Sequence, residues 1–268
     1  MHCHLSTRQS CRCCRFAEGF LQTLVSGLLC VVIIWPRTLL FSRYLDRICP
    51  DANVSTIFDF VSGILCLSTK YCVQKLRQKC IDILTRKIPT SLTDMDTICG
   101  MHAKDAASAA DIHFSIINLA RETNVPELLP FVFYLCACLP TNDIHDTAIL
   151  SWKDKAICLA SQDKLLKAQR TISFLPFINF KSSPSCRNHP PCVSKIQDRL
   201  GIELLSLVWV KVMMLEICGT KILASHVCVY CVENVVSQHQ ERRKQVWDML
   251  PRMFQLGSWE DIRKMQNN

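Results

Sequence analysis

Cysteine is the residue type in this sequence with the clearest capacity for chemistry. The chain of 268 residues contains 18 cysteines. Cys228 and Cys231 form a C-x-x-C pair. Cys186 and Cys192 lie upstream in a proline-rich stretch, with His189 between them. Thiolates suit zinc better than harder ions, and four of them complete a closed tetrahedral site of structural rather than catalytic character. These four cysteines are therefore the candidate ligands of a structural zinc ion.

Two other interpretations of these cysteines stay open at this point. A C-x-x-C pair also occurs in redox sites, and a free cysteine often serves as a small buried hydrophobic residue. The 35 residues between Cys192 and Cys228 exceed the spacing within compact zinc fingers. The cysteine content of about 6.7% is below the ~8–10% of small disulfide scaffolds. We therefore expect mostly reduced cysteines in an intracellular chain, in the cytoplasm or nucleus.

The rest of the sequence argues against an enzyme and against nucleic-acid binding. Only 7 glycines are present, and neither a dinucleotide-binding fingerprint nor a P-loop occurs. No nucleophile stands beside a marked base, so we expect no catalytic residues and no bound organic cofactor. The net charge is +8, but the basic residues are dispersed. The densest run, at residues 241–244, is typical of a solvated helical face.

The elements that must position the cysteines are helices. From Phe58 onward, apolar residues recur at spacings of three and four, which predicts a mainly α fold. Ser91 and Ser151 begin stretches of capping-box form. Four prolines between Phe174 and Ile196 indicate a loop or linker. We divide the chain into 1–42, a basic Cys-rich and apolar segment; 43–90 and 91–173, both helical; 174–200, a loop containing Pro and Cys; and 201–268, again helical.

An apolar run without a charge extends from Phe20 to Trp35 after the basic start of the chain, and it ends at Pro36 and Arg37. Such a pattern is typical of a signal anchor, although Glu18 and Gln22 shorten the run. Basic residues occur on both sides of it, so their distribution assigns no orientation. The alternative hypothesis is therefore a membrane-anchored helical protein with residues 20–41 in the bilayer.

A series of short motifs carries a resemblance to a known family. The stretch from Val61 to Leu84, with its Lys70-Tyr71 step, resembles the terminal helical hairpin of BTB/POZ domains. Further motifs are similar to those of BTB-containing proteins that are abundant in mushroom-forming fungi. These motifs are Ala120-Arg121-Glu122, Val125–Pro130, Trp152–Lys155, the two Cys pairs and Trp247–Pro251. The resemblance covers about residues 43–265.

The resemblance implies a partial BTB/POZ-like helical hairpin followed by a bundle-like C-terminal region. It further implies a non-enzymatic protein–protein interaction module and, by analogy, a substrate adaptor for a cullin-type ubiquitin ligase. The strand-rich half that begins a complete BTB domain has no counterpart before Arg43. This departure favours a truncated or mis-spliced version, with residues 1–42 an artefact of the gene model or a membrane segment. We expect no homodimerisation, because in the family that half supplies most of the dimer interface.

Overall fold

The computed structural model describes residues 54–102, 110–187, 191–198 and 227–267. These residues are 77% helical and include no strand, which confirms the mainly α fold. They form two compact units, one ending at Leu84 and the other beginning at Thr85. The apolar run at 20–41 lies outside the described residues. Within them, no helix combines the length and the apolar character that crossing a membrane requires.

The described helices are numbered in chain order. They are α1 (Val54–Lys70), α2 (Gln74–Thr85), α3 (Leu92–His102), α4 (Ala110–Glu122), α5 (Leu129–Ala137), α6 (Thr141–Asp146), α7 (Trp152–Ala168), α8 (Leu175–Ile178), α9 (191–198), α10 (Val229–Met253) and α11 (Trp259–Asn267). A 3-10 turn at Pro126–Leu128 precedes α5, and a π-helical turn at Gln169–Ser173 extends α7.

A tight turn joins α1 to α2 in the N-terminal unit. Cys72 adopts a left-handed conformation with φ of 56°. Its N–H donates to the Thr69 carbonyl at 3.3 Å, and the Val73 N–H donates to the Ser68 carbonyl at 2.8 Å. These two bonds form a Schellman motif, which satisfies carbonyls at the end of α1. The BTB/POZ resemblance of this segment stays a prediction.

Serine caps begin α3 and α7, as the sequence predicts. The Ser151 hydroxyl accepts a hydrogen bond from the Asp154 N–H at 3.1 Å and donates to the Asp154 carboxylate at 2.7 Å. Ser91 and Asp94 repeat the pattern at the start of α3. Each cap satisfies a backbone donor that lacks a partner within its helix.

Helix α7 holds the C-terminal ends of two other helices. The Ser161 hydroxyl and the Lys164 ammonium both donate to the Met253 carbonyl at 2.9 Å, at the end of α10. The Gln162 amide donates to the Leu139 carbonyl at 3.0 Å, just after α5. Carbonyls at helix ends lack donors within the helix, so these side chains fix where α5 and α10 end against α7.

The stretch at 174–200 differs from the expected loop. It contains α8 and α9, and two of its four prolines occupy helix starts. Pro176 lies in the first turn of α8, and α9 begins at Pro191. Proline is tolerated there because the N–H that it lacks would have no partner within the helix.

A buried ion pair links α10 to α3. The Arg243 side chain is fully buried, and its guanidinium pairs with the Asp96 carboxylate. Its Nη1 also donates to Gln240 Oε1 at 2.7 Å. The expectation of a solvated face at 241–244 is therefore wrong for Arg243. A sequence run of charges cannot reveal that a carboxylate from a distant helix compensates one of them.

We predict that Arg243→Met destabilises the C-terminal unit by about 1–3 kcal/mol, because it leaves the partly exposed Asp96 carboxylate without its partner. Asp96→Asn should also be destabilising, because it leaves the buried guanidinium uncompensated. The matched control is Arg242→Met, which changes a half-buried neighbour and should cost less than about 0.5 kcal/mol. Urea denaturation followed by tryptophan fluorescence measures all three, and equal losses for Arg243→Met and Arg242→Met would contradict the prediction.

Candidate metal centre

The four candidate ligands lie on a turn and at two helix starts. Cys186 closes a turn in which its N–H donates to the Ser183 carbonyl at 2.9 Å. Cys192 lies in the first turn of α9. Cys228 is the N-cap of α10, and Cys231 lies in that helix's first turn. The sequence analysis did not identify Ser183, whose carbonyl closes the turn that carries Cys186. The turn-forming stretch Ser182-Ser183-Pro184-Ser185 could have indicated it.

The structure brings all four thiols together. Their sulfur atoms lie within 4.8 Å of one another. The Cys228 and Cys186 sulfurs are 3.5 Å apart, and the Cys228 N–H donates to the Cys192 sulfur at 3.4 Å. Zinc–sulfur bonds of about 2.3 Å place the sulfurs of a tetrahedral site about 3.8 Å apart. The four cysteines can therefore hold a metal ion after sulfur movements of about 1 Å or less.

The cluster lies in an apolar environment. Cys186, Cys192 and Cys231 are buried, whereas Cys228 is half-buried. The buried residues packed with them are Phe174, Phe177, Phe180, Ile196, Val227 and Val235. Such surroundings exclude water and strengthen the attraction between a cation and thiolates. The starts of α9 and α10 add the positive ends of two helix dipoles, which also favour thiolates.

The thiols differ in acidity. Burial raises the pKa of Cys231 to about 12, although a hydrogen bond with the Ser183 backbone opposes the increase. Burial also raises the pKa of Cys192, against the effect of the Cys228 N–H. At Cys228 burial acts in the same direction, but hydrogen bonds with the Cys231 backbone and the neighbouring thiols outweigh it, so its pKa is lowered. A bound cation would favour the thiolate form of all four.

One chemistry open to this arrangement is metal binding. Four thiol ligands fill a tetrahedral coordination shell, which leaves no position for a substrate or an activated water. His189, between two of the cysteines in the sequence, lies outside the described residues. In the described part of the chain, no other group of three or more histidine, cysteine or acidic side chains gathers closely enough to hold a metal.

Other described cysteines fit the role of small core residues. Cys136 and Cys158 are fully buried in α5 and α7. Burial, and then a hydrogen bond with the Cys158 thiol, raises the pKa of Cys136 well above its usual value. No disulfide joins the cysteines that the structure describes. The interpretation of free cysteine as a buried hydrophobic residue therefore suits these positions.

The chain matches no protein-family model, no curated protein and no solved structure. The BTB/POZ resemblance consequently stays a prediction.

We predict that the reduced chain binds cobalt(II) with the intense visible absorption of a tetrahedral cobalt–thiolate site. Cys192→Ser should lower the cobalt affinity by more than about 100-fold. Loss of a residue that only hydrogen-bonds a metal ligand already lowers metal affinity by about 10- to 100-fold. The control is Cys72→Ser, which changes an exposed thiol outside the cluster. Cysteines outside the described residues are present in both variants, so the difference between them reports on the cluster. Equal cobalt affinities would contradict the assignment.

Proposed function

We propose that the four cysteines bind one zinc ion that stabilises the C-terminal unit. The convergence of the four sulfurs within 4.8 Å carries this proposal. Thiolate donors favour zinc over harder ions such as magnesium and calcium. Buried cysteines acting as hydrophobic residues have no need to bring four sulfurs together, whereas the ligands of a tetrahedral metal site do. A complete four-thiolate shell favours a structural role for the ion.

The ion would connect three segments that also pack together in one apolar cluster. Cys186 belongs to the turn after α8, Cys192 to α9, and the C-x-x-C pair to the start of α10. The free energy of zinc binding then contributes to folding, because the unfolded chain has no preformed site. The proposed ion thus holds the turn and α9 against α10.

Native mass spectrometry of the chain expressed with zinc should show one bound ion in the wild type and in Cys72→Ser, but none at this site in Cys192→Ser. Free zinc at about 1,000 times its Kd adds about 4 kcal/mol of stability. Removing zinc with a chelator should therefore lower the Tm by about 8–16 °C. The same chelator should leave the Tm of Cys192→Ser unchanged. A wild-type chain without bound metal would refute the zinc proposal.

We further propose that the protein is a non-enzymatic module that binds a protein partner. Trp152 supports this, because 75% of its surface is exposed at the start of α7. The Lys155 ammonium lies 4.7 Å from the centre of its ring. That ammonium also donates to the His145 carbonyl at 2.6 Å, which keeps it in place beside the ring. An exposed tryptophan held in this way resembles the aromatic anchors that dominate many protein interfaces.

An open groove lies beside Trp152 in the chain. Its lining residues are Asn118, Arg121, Glu122, Ser151, Lys153 and Asp154. Arg121 and Asp154 form an ion pair at 3.0 Å within it. Its lining side chains carry both charges as well as amide and hydroxyl groups, as the polar rim of a protein interface does. The BTB/POZ resemblance suggests a cullin as the partner, with the protein acting as a substrate adaptor.

We predict that the full chain captures a purified cullin and that Trp152→Ala lowers the affinity at least about tenfold, as truncating an interface anchor does. Met265→Ala, which also removes an exposed apolar side chain, should have no effect. Binding is measured by calorimetry, and size-exclusion mass measurement reports the stoichiometry. Absence of cullin binding would contradict the adaptor proposal, and equal affinities of the two variants would contradict the role of Trp152.

A further inference from the structure

One thiol of the cluster is accessible to reagents in solution. Cys228 is half-buried, whereas the other three members are buried. The two residues that follow it are exposed to solvent, Val229 over 59% of its surface and Tyr230 over 50%. Oxidation of cysteine follows exposure as well as thiolate character. Cys228 is therefore the member that a small oxidant in solution reaches first.

A second thiol lies in position to react with an oxidised Cys228. The Cys186 sulfur is 3.5 Å from the Cys228 sulfur. A disulfide bond is about 2.05 Å long, so an approach of about 1.5 Å would join the two. Cys186 belongs to the turn after α8, whose neighbouring residues Ser185 and Arg187 are exposed. Such a turn can move more readily than the helix that carries Cys228.

We propose that the cluster is an oxidation site at which hydrogen peroxide joins Cys186 to Cys228 and expels the metal. The Cys228 thiolate attacks one peroxide oxygen, the O–O bond breaks, and hydroxide leaves. The Cys186 thiolate then attacks the resulting sulfenic acid, the S–O bond breaks, and a second hydroxide leaves. The two thiolates supply the two electrons that reduce the peroxide, and protons from solvent convert the hydroxides to water.

This inference rests on the proposed zinc centre. The disulfide removes two of the four ligands, and Cys192 and Cys231 remain. Two thiolates cannot complete a tetrahedral shell, so the ion is released and the turn after α8 is no longer held through it. A thiol reductant reverses both changes. Oxidation by peroxide thereby becomes linked to metal content and to the stability of the C-terminal unit.

The experiment uses the full, reduced, zinc-loaded chain and hydrogen peroxide as the oxidant. A chromogenic chelator records zinc release, and mass spectrometry of a non-reducing digest identifies the disulfide after free thiols are alkylated. We expect one zinc ion released for each Cys186–Cys228 disulfide, with recovery after dithiothreitol and zinc are added. Cys72→Ser should behave as the wild type, since that thiol lies outside the cluster.

A second comparison uses metal-free chains. Cys228→Ser should form the first disulfide within the cluster at least about tenfold more slowly than Cys72→Ser, because it lacks the exposed thiol. Any of three results would overturn the inference: a first disulfide between other cysteines, zinc release without a disulfide, or equal rates of disulfide formation in the two variants. An untreated chain without zinc refutes the zinc centre instead. In that case, disulfide mapping of the metal-free chain still confirms or overturns the Cys186–Cys228 pair.

Discussion

The buried charge of Arg243 constrains how the C-terminal unit is built. A guanidinium removed from water needs a counter-charge, and the carboxylate that supplies it is 147 residues away, in α3. The pairing fixes the rotation of α10 about its axis, since one side of that helix must face Asp96. Cys231, Val235 and His239 are buried at successive four-residue steps leading to Arg243. The rotation that pairs the charge therefore also turns Cys231 inward.

The two ends of α10 are stabilised in different ways. At its C-terminal end, Ser161 and Lys164 both donate to the Met253 carbonyl, and the ammonium is favourable beside the negative end of the helix dipole. At its N-terminal end, the Cys228 thiol occupies the capping position that the Ser151 hydroxyl occupies in α7. A thiol is a poor substitute for a hydroxyl or carboxylate cap. A metal ion held by Cys228 and Cys231 would supply the order that capping provides elsewhere.

The sequence was sufficient to predict what depends on neighbouring residues. Helical periodicity and the Ser151 cap follow from residues at most four positions apart, and the ligand set follows from residue type. The burial of Arg243 could not be predicted, because its counter-charge comes from a distant helix. The proximity of Cys192 to Cys228 likewise depends on how α9 packs against α10. The secondary structure around the prolines could not be predicted for a different reason. Pro191 suits a loop and a helix start equally well.

The apolar surroundings of the cluster give the metal a role unlike that in a small zinc finger. Without metal, neutral thiols are acceptable beside Phe177 and Val235, since free cysteine behaves as a small hydrophobic residue. With zinc, four thiolates give the site a net negative charge, which the Cys228 N–H and two helix starts partly offset. Arg243 and α7 hold the remainder of α10 in either state. Loss of metal should therefore loosen the start of α10, α9 and the adjoining turn, while the rest of the unit stays folded.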